Sequence, residues 1–209
     1  DVEDERVTNT LKLIEKQFCI ENIFFNHIGQ SGFSTDLNCH LAQVYLAKKD
    51  NKFFKLLDWL VKHSSETGSW PEAIHPYSKG GSSGDGHFTR TSSEFVQIVR
   101  NMLVKEDNKI LSILPFIPAK WLDKHGTLVK VEKMPTHFGV ISYTLKKSYQ
   151  HYVLEFDNTY HQEPVSIQIQ MPKPIRSFTI DGQKQANEKA SIQLPAHTKK
   201  VQFELEDSK

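Results

Sequence analysis

The residues best suited to chemistry lie in one long loop. Residues 68–90, GSWPEAIHPYSKGGSSGDGHFTR, combine glycines with carboxylates, imidazoles and aromatic rings. Aromatic faces stack on the CH surfaces of sugars, and carboxylates supply the acid and the base that flank a glycosidic oxygen. The loop therefore predicts carbohydrate chemistry, with a solvated loop around a structural tryptophan as the alternative. The candidate residues are Trp70, Glu72, His75, Tyr77, Asp85, His87, Phe88 and Arg90.

A second loop carries a smaller set of polar candidates. Residues 26–33 include His27 and Gln30, and together with Thr35 just after them we expect these residues to line the same cleft and to bind substrate. In the long loop, Arg90 is expected to hold Asp85 as an ion pair, because guanidinium groups bind carboxylates through charged hydrogen bonds. Polar residues are common in surface loops, so a structural role is the alternative for all of these side chains.

The spacing of apolar residues changes near residue 108. Before it, apolar residues recur every three or four positions, which predicts four helices. They are expected at about 5–19, after a cap at Ser34, from Phe53 towards Gly68, and from the cluster 91–93 onward. After it, apolar and polar residues alternate, which predicts the strands of an antiparallel sandwich or barrel. The alternating runs are 141–145, 152–156, 165–171 and 201–205.

The lengths of the connections predict where the loops meet. The second and fourth helices each follow a long glycine-rich loop, 26–33 and 67–90, whereas the connection near Asp50 is short. Both long loops should therefore open on the same side of the helices, with Glu72 facing the space between them. Loops gathered on a rigid scaffold are where binding sites are commonly built.

Several of these motifs also occur together in a known family. Trp70-Pro71-Glu72 after a helix, Gly84-Asp85-Gly86-His87 at the end of the loop, and a Ser/Thr-capped helix resemble the last hairpin of the six-hairpin (α/α)6 toroid glycosidases. Glucoamylases and α-L-rhamnosidases belong to that family. Segments 114–122 and 135–142 look like its passage from the toroid into a β-sandwich.

The resemblance implies a segregated α+β chain. Residues 1–107 would be the last helical hairpins of a partial (α/α)6 toroid, and residues 108–209 a C-terminal antiparallel β-sandwich. Glu72 matches the position of the base that activates the hydrolytic water, and the general acid would come from an earlier hairpin outside this chain. A longer parent is thus expected to be a glycoside hydrolase, whereas this chain alone is expected to be inactive.

Composition excludes several other classes. The 26 basic and 25 acidic residues give a net charge of +1, which offers no basic face for nucleic acid or an anionic membrane. No apolar run is long enough to span a bilayer and no signal peptide opens the chain, so the compartment stays open with the cytoplasm favoured. Two cysteines support neither a disulfide framework nor a zinc site, and no cofactor is expected.

Two other functions compete with the glycosidase hypothesis. His75, Asp85 and His87 have the side chains of a zinc or iron site, but their spacing matches no compact ligand motif. A non-catalytic carbohydrate-binding or assembly module is the second alternative. We also expect self-association, because a truncated toroid would expose apolar helical flanks.

The junction between the halves is apolar. No Ser/Gly linker lies between residues 108 and 127, and the stretch contains several aliphatic residues together with Trp121. Such density predicts a buried core at this point rather than a flexible tether.

Overall fold

The computed structural model describes residues 2–29, 31–185 and 191–206. The chain divides into two compact units, Asp1–Arg100 and Asn101–Lys209. The boundary placed between residues 107 and 108 from the sequence stays a prediction.

Helices form where the apolar spacing predicts them. The side chain of Asp4 caps the first helix through the backbone N–H of Arg6. The third helix ends earlier than expected, because His63 closes it with N–H bonds to the carbonyls of Trp59 and Leu60. Among the described residues, no helix is both long and apolar enough to cross a bilayer. The helices are α1 (Glu5–Phe18), α2 (Thr35–Lys48), α3 (Lys52–Lys62) and α4 (Thr89–Leu103).

The first unit also contains a sheet that the sequence did not predict. Its five strands are antiparallel neighbours in chain order, and they include parts of both glycine-rich loops. Strands this short show no alternation of apolar and polar residues, which is why the sequence pattern missed them. The strands are β1 (Cys19–Ile20), β2 (Ile23–Asn26), β3 (Gly32–Ser34), β4 (Ala73–Ile74) and β5 (Gly81–Ser83).

The second unit contains two sheets. One has seven strands in the order β11-β9-β10-β16-β13-β14, with β8 also paired to β9, and the other has four in the order β15-β12-β7-β6. The strands are β6 (Val104–Asp107), β7 (Ile110–Ile113), β8 (Gly126–Thr136), β9 (Gly139–Ser148), β10 (His151–Phe156), β11 (Thr159–Tyr160), β12 (Ser166–Gln170), β13 (Ile175–Ile180), β14 (Gln183–Gln185), β15 (Ser191–Leu194) and β16 (Lys200–Leu205).

The predicted fold class is therefore wrong. The chain is β-rich, with four helices and three sheets in the described residues, and it is not a helical toroid followed by an antiparallel sandwich. The helices share their unit with a sheet, and β7 and β12 pair in parallel, with Leu111 opposite Ile167. Pairing between strands so far apart in sequence leaves no local signal, so periodicity alone could not reveal it.

The apolar stretch after α4 is core of the second unit. Leu111 and Ile113 lie in β7 and are completely buried, as are Leu114 and Leu122. The carbonyl of Leu122 accepts hydrogen bonds from Lys147 Nζ at 2.7 Å and from the Tyr152 hydroxyl at 3.1 Å. A short 3-10 helix, Ala119–Asp123, is thus fixed to β9 and β10.

A polar cluster ties three helices of the first unit together. The carboxylate of Glu15 on α1 accepts from the Tyr45 hydroxyl of α2 and from Lys52 Nζ of α3, each at 2.6 Å. Partial burial alone would raise the pKa of Glu15, but the hydrogen bonds from Lys52 and Tyr45 and the charge of Lys52 hold it below its usual range. Burial and the neighbouring Glu15 carboxylate raise the pKa of Tyr45.

Replacing Glu15 by glutamine tests this cluster. We expect Glu15→Gln to lower the free energy of unfolding by about 1–3 kcal/mol at neutral pH, since hydrogen bonds to a charged acceptor are lost. The folded pKa of Glu15 is depressed, so its contribution is present above the unfolded value of about 4.3 and is lost as pH falls through the folded pKa. In urea unfolding, the variant and the original chain should converge towards about pH 3.

The matched control is Glu66→Gln, an exposed loop residue, which should change the free energy of unfolding little at either pH. A deficit of Glu15→Gln that does not shrink in acid would contradict the proposed role of the carboxylate.

The second unit supplies a test of core packing. Leu122 is completely buried, whereas Trp121 beside it is half-buried. We expect Leu122→Ala to lower the free energy of unfolding by about 2–5 kcal/mol and Trp121→Ala to lower it less. Thermal and urea denaturation measure both, and the reverse order would show that Trp121 is the anchor.

Candidate functional site

The long loop is anchored by its tryptophan. Trp70 is 3% exposed, its indole N–H donates to the carbonyl of Leu60 at 2.9 Å, and its ring lies 4.9 Å from that of Phe95. The carbonyl of Trp70 accepts from the backbone N–H of Phe88. Phe88 is half-buried. Trp70 and Phe88, predicted as sugar-binding platforms, therefore close the base of the loop.

Glu72 stands on a fixed segment of backbone. Its N–H donates to the carbonyl of Ser83, and its own carbonyl accepts from the N–H of Thr35, both at 3.1 Å. The carboxylate accepts from the hydroxyl of Ser83 at 3.1 Å, and the side chain is half-buried. One carboxylate oxygen is thus oriented by a neutral donor from β5, in the same long loop.

A buried threonine pair supports this backbone from below. Thr35 is completely buried, and its hydroxyl donates to the carbonyl of Pro71 at 2.7 Å. The hydroxyl of Thr91, also completely buried, lies 2.7 Å from that of Thr35. A hydroxyl has one hydrogen, so Thr91 is the donor in this second bond. This bond joins the first turns of α2 and α4 beneath the part of the long loop that carries Glu72.

Two glycines allow the strands to approach. A Cβ on Gly84 would lie 3.2 Å from the backbone nitrogen of Glu72, and the φ of Gly84 is +80°. A Cβ on Gly32 would lie 2.7 Å from Ser82 Oγ and 2.9 Å from the carbonyl oxygen of Ile74. Larger residues would push the loop away from Glu72 or from β3.

The two loops lie side by side, and the expectation that Glu72 faces a space between them stays a prediction. Phe33 of β3 pairs with Ile74 of β4, and the hydroxyl of Ser82 donates to the carbonyl of Ser31 at 3.2 Å. His27 is exposed, and its ring meets that of Phe25 edge-on at 4.8 Å. Gln30, the other candidate of this loop, lies outside the described residues.

The tip of the long loop is a hairpin that is open to solvent. Tyr77 is 89% exposed. His75 Nδ1 accepts from the backbone N–H groups of Tyr77 and Ser78 at 3.3 and 3.2 Å, so this imidazole shapes the turn. Nearer the end of the loop, Asp85 accepts from the N–H of His87 at 2.9 Å, and His87 Nδ1 lies 3.0 Å from Ser69 Oγ.

Arg90 has a partner that sequence reasoning missed. Its guanidinium pairs with Asp36 at 3.3 Å, so the predicted pairing with Asp85 is wrong. Asp36 is buried at the start of α2, where its other oxygen accepts from Ser34 Oγ at 2.6 Å and from the N–H of Leu37 at 2.9 Å. The available signal was the sequence STD, an acidic residue beside a helix cap, where the helix dipole favours an anion.

The candidate residues do not make a metal centre in the described part of the chain. No three His, Cys, Asp or Glu side chains with described positions are close enough to hold an ion. His75, Asp85 and His87, the ligands of the metal alternative, are therefore not brought together.

Two grooves on the described part of the first unit are compared as candidate sites. The larger, about 580 Å³, runs between α1 and α2 and is lined mainly by aliphatic residues such as Leu11, Ile14 and Leu41. None of the described candidate residues lines it. The smaller groove, about 400 Å³, is bounded by the long loop and the end of α3, and its lining includes His63, Lys79 and Asp85. We take the smaller groove as the site because it is polar and adjoins the Glu72 loop.

This arrangement is suited to binding and positioning polar ligands. Glu72 presents a half-buried carboxylate on a backbone fixed from two sides, and carboxylates accept both sugar hydroxyls and the proton of an attacking water. Glu72 itself does not line the smaller groove, whose lining carries His63, Lys79 and Asp85 as its titratable side chains.

Comparison with known proteins yields distant structural likeness without a sequence relative. No protein-family model matches the chain, and no curated protein matches its sequence. The solved structure of α-L-rhamnosidase from Dictyoglumus thermophilum aligns with 96% of this chain at 11% sequence identity and a TM-score of 0.46. The chain spans 28% of the length of that enzyme.

The threonine pair provides a test of the site's geometry. Thr35→Val keeps the shape but removes the acceptor of Thr91 and the donor to Pro71, so we expect a loss of about 1–3 kcal/mol in the free energy of unfolding. The amide of Glu72 should also exchange its hydrogen faster, which NMR or mass spectrometry measures. Thr127→Val, an exposed substitution in β8, is the control, and equal effects of the two would contradict the role of Thr35.

Proposed function

We propose that the chain is part of a carbohydrate-active, glycoside hydrolase-like protein, in which Glu72 acts as the general base. The observation that carries the proposal is the setting of Glu72. Its backbone is fixed by Thr35 and Ser83, and its carboxylate is oriented by a hydroxyl yet remains partly open to solvent. A base must hold its position relative to the attacking water, and this setting meets that requirement.

The chemistry requires a second carboxylic acid. An inverting glycosidase places the acid on the opposite side of the sugar ring from the base, about 6.5–9.5 Å away, to leave room for water. Asp36 is an unsuitable acid because its two oxygens already serve Arg90, Ser34 and the N–H of Leu37. Asp85 is exposed and is engaged with the backbone of His87. The proposal therefore assigns the acid to a part of the longer protein outside this chain.

The remaining candidates have binding roles in this proposal. Tyr77 and His75 at the hairpin tip and His87 near the end of the loop offer hydrogen bonds to sugar hydroxyls, and Arg90 remains 63% exposed while it pairs with Asp36. His27 contributes from the neighbouring loop. The same side chains would also suit a non-catalytic carbohydrate-binding module. Such a module would not need Glu72, whereas hydrolysis would.

The test is Glu72→Gln in the longer protein, assayed on a panel of aryl glycosides. Glutamine keeps the size and can still accept from Ser83, but it cannot take a proton. We expect the turnover rate to fall by roughly two to four orders of magnitude, while the free energy of unfolding stays nearly unchanged. The chain by itself should show negligible hydrolysis, since it lacks the acid.

The control for that experiment is Glu66→Gln, an exposed carboxylate in the preceding turn, which should leave the rate unchanged. A longer protein that carries Glu72→Gln and keeps its full rate would end the assignment of Glu72 as base and favour the binding module.

A further inference from the structure

A connected group of aromatic rings reaches the smaller groove through His63. The ring of Phe25 contacts that of Phe33 at 5.3 Å, Phe33 contacts Trp59 at 5.8 Å, and Trp59 contacts His63 at 4.6 Å between ring centres. His27 adjoins Phe25 at the other end. These five side chains, here named the aromatic cluster, connect the 26–33 loop with the C-terminal end of α3.

The cluster is not part of the buried core. On α3 the buried face is formed by Phe53, Leu56, Leu57 and Leu60, each at most 8% exposed. Trp59 and His63 lie one turn apart on a different face, and both are only half-buried, as are Phe25 and Phe33. Aromatic rings held together at a partly exposed surface are available to a ligand.

Trp59 differs in this respect from Trp70. The indole N–H of Trp70 is used inside the protein, on the carbonyl of Leu60. Among the described residues, no acceptor contacts the indole N–H of Trp59, and this atom is not a buried one. Trp59 therefore offers both an aromatic surface and a hydrogen-bond donor.

Polar groups surround the cluster where it meets the groove. The exposed Lys79 places its ammonium 6.0 Å from the centre of the Phe33 ring. His63 Nδ1 lies 2.8 Å from the carbonyl of Trp59, which can only accept, so Nδ1 carries the hydrogen and Nε2 is left for another partner. Both Lys79 and His63 line the 400 Å³ groove, together with Asp85.

We infer that the aromatic cluster binds a neutral oligosaccharide and extends the site beyond the sugar that Glu72 would act on. Rings supply stacking surfaces for the CH faces of successive sugar units. Trp59 and Lys79 supply donors to the sugar hydroxyls, and Nε2 of His63 can accept from one of them. The groove carries both a lysine and an aspartate, so it favours a neutral chain over an acidic one. This inference rests on the proposed function for the class of ligand, but binding by the cluster does not require Glu72.

The binding test uses the chain itself and defined sugars. Maltohexaose, cellohexaose, xylohexaose and mannohexaose are titrated by calorimetry, each beside its monosaccharide. At least one hexasaccharide should bind, and more tightly than its monosaccharide, because one sugar unit covers only part of the cluster. Tryptophan fluorescence should change on binding, since Trp59 is the indole in the cluster.

Substitution of Trp59 locates the binding. Trp59→Ala should lower the affinity for the hexasaccharide by roughly two- to tenfold because stacking is lost. The loss of the indole donor should lower it further. Trp59→Phe, which keeps a ring in place, should weaken it less and should abolish the fluorescence change. Trp121→Phe, a half-buried tryptophan of the second unit, is the matched control and should change neither affinity nor signal. Circular dichroism verifies that each variant is folded.

Each outcome decides the inference. Saturable binding that is weakened at least about twofold in Trp59→Ala and is unchanged in Glu72→Gln supports it. No saturable binding of any hexasaccharide up to about 10 mM, or equal affinity in Trp59→Ala and the original chain, overturns it. An inactive Glu72→Gln protein together with no binding at the cluster would refute this inference alone, whereas an active one with intact binding would refute only the base assignment.

Discussion

The site depends on one buried hydroxyl, that of Thr35. It donates to the carbonyl of Pro71 and accepts from Thr91, while the N–H of the same residue donates to the carbonyl of Glu72. Buried polar groups are costly unless they are paired, so these bonds hold α2, α4 and the long loop in one relative position. That requirement holds the backbone that carries Glu72, and the hydroxyl of Ser83 then orients its carboxylate.

The loop is rigid at its base and open at its tip, and this division matches its proposed roles. Trp70 is buried beneath the loop, and its indole N–H donates to the carbonyl of Leu60. The lower part of the loop therefore contributes stability rather than binding surface. Tyr77 at the tip is almost wholly exposed. A surface that must admit a ligand is best carried by side chains whose backbone is fixed elsewhere, because ordering a mobile loop on binding costs free energy.

The aromatic residues show how burial separates structural from available side chains. Trp70 stands in the most suggestive motif of the sequence but is internal. Trp59 stands in an ordinary amphipathic helix, is only half-buried, and contacts His63, which lines the groove. The helical period places Trp59 next to the buried stripe, and only the neighbouring β2 and β3 turn its surroundings into an aromatic cluster. Sequence spacing identified the helix correctly but gave no reason to select this residue.

The sequence by itself determined the elements whose pattern repeats locally. These are the four helices, the longer alternating strands, the chemical character of the 68–90 loop and its proximity to the 26–33 loop. Tertiary structure alone decided the short five-stranded sheet, the parallel pairing of β7 with β12, and the partnership of Arg90 with Asp36. A helix or strand that buries one face has apolar residues at regular intervals, so its position can be predicted from the sequence. Pairing between distant segments depends on which backbone and charged groups still need a partner as the chain folds. No local pattern in the sequence encodes that choice.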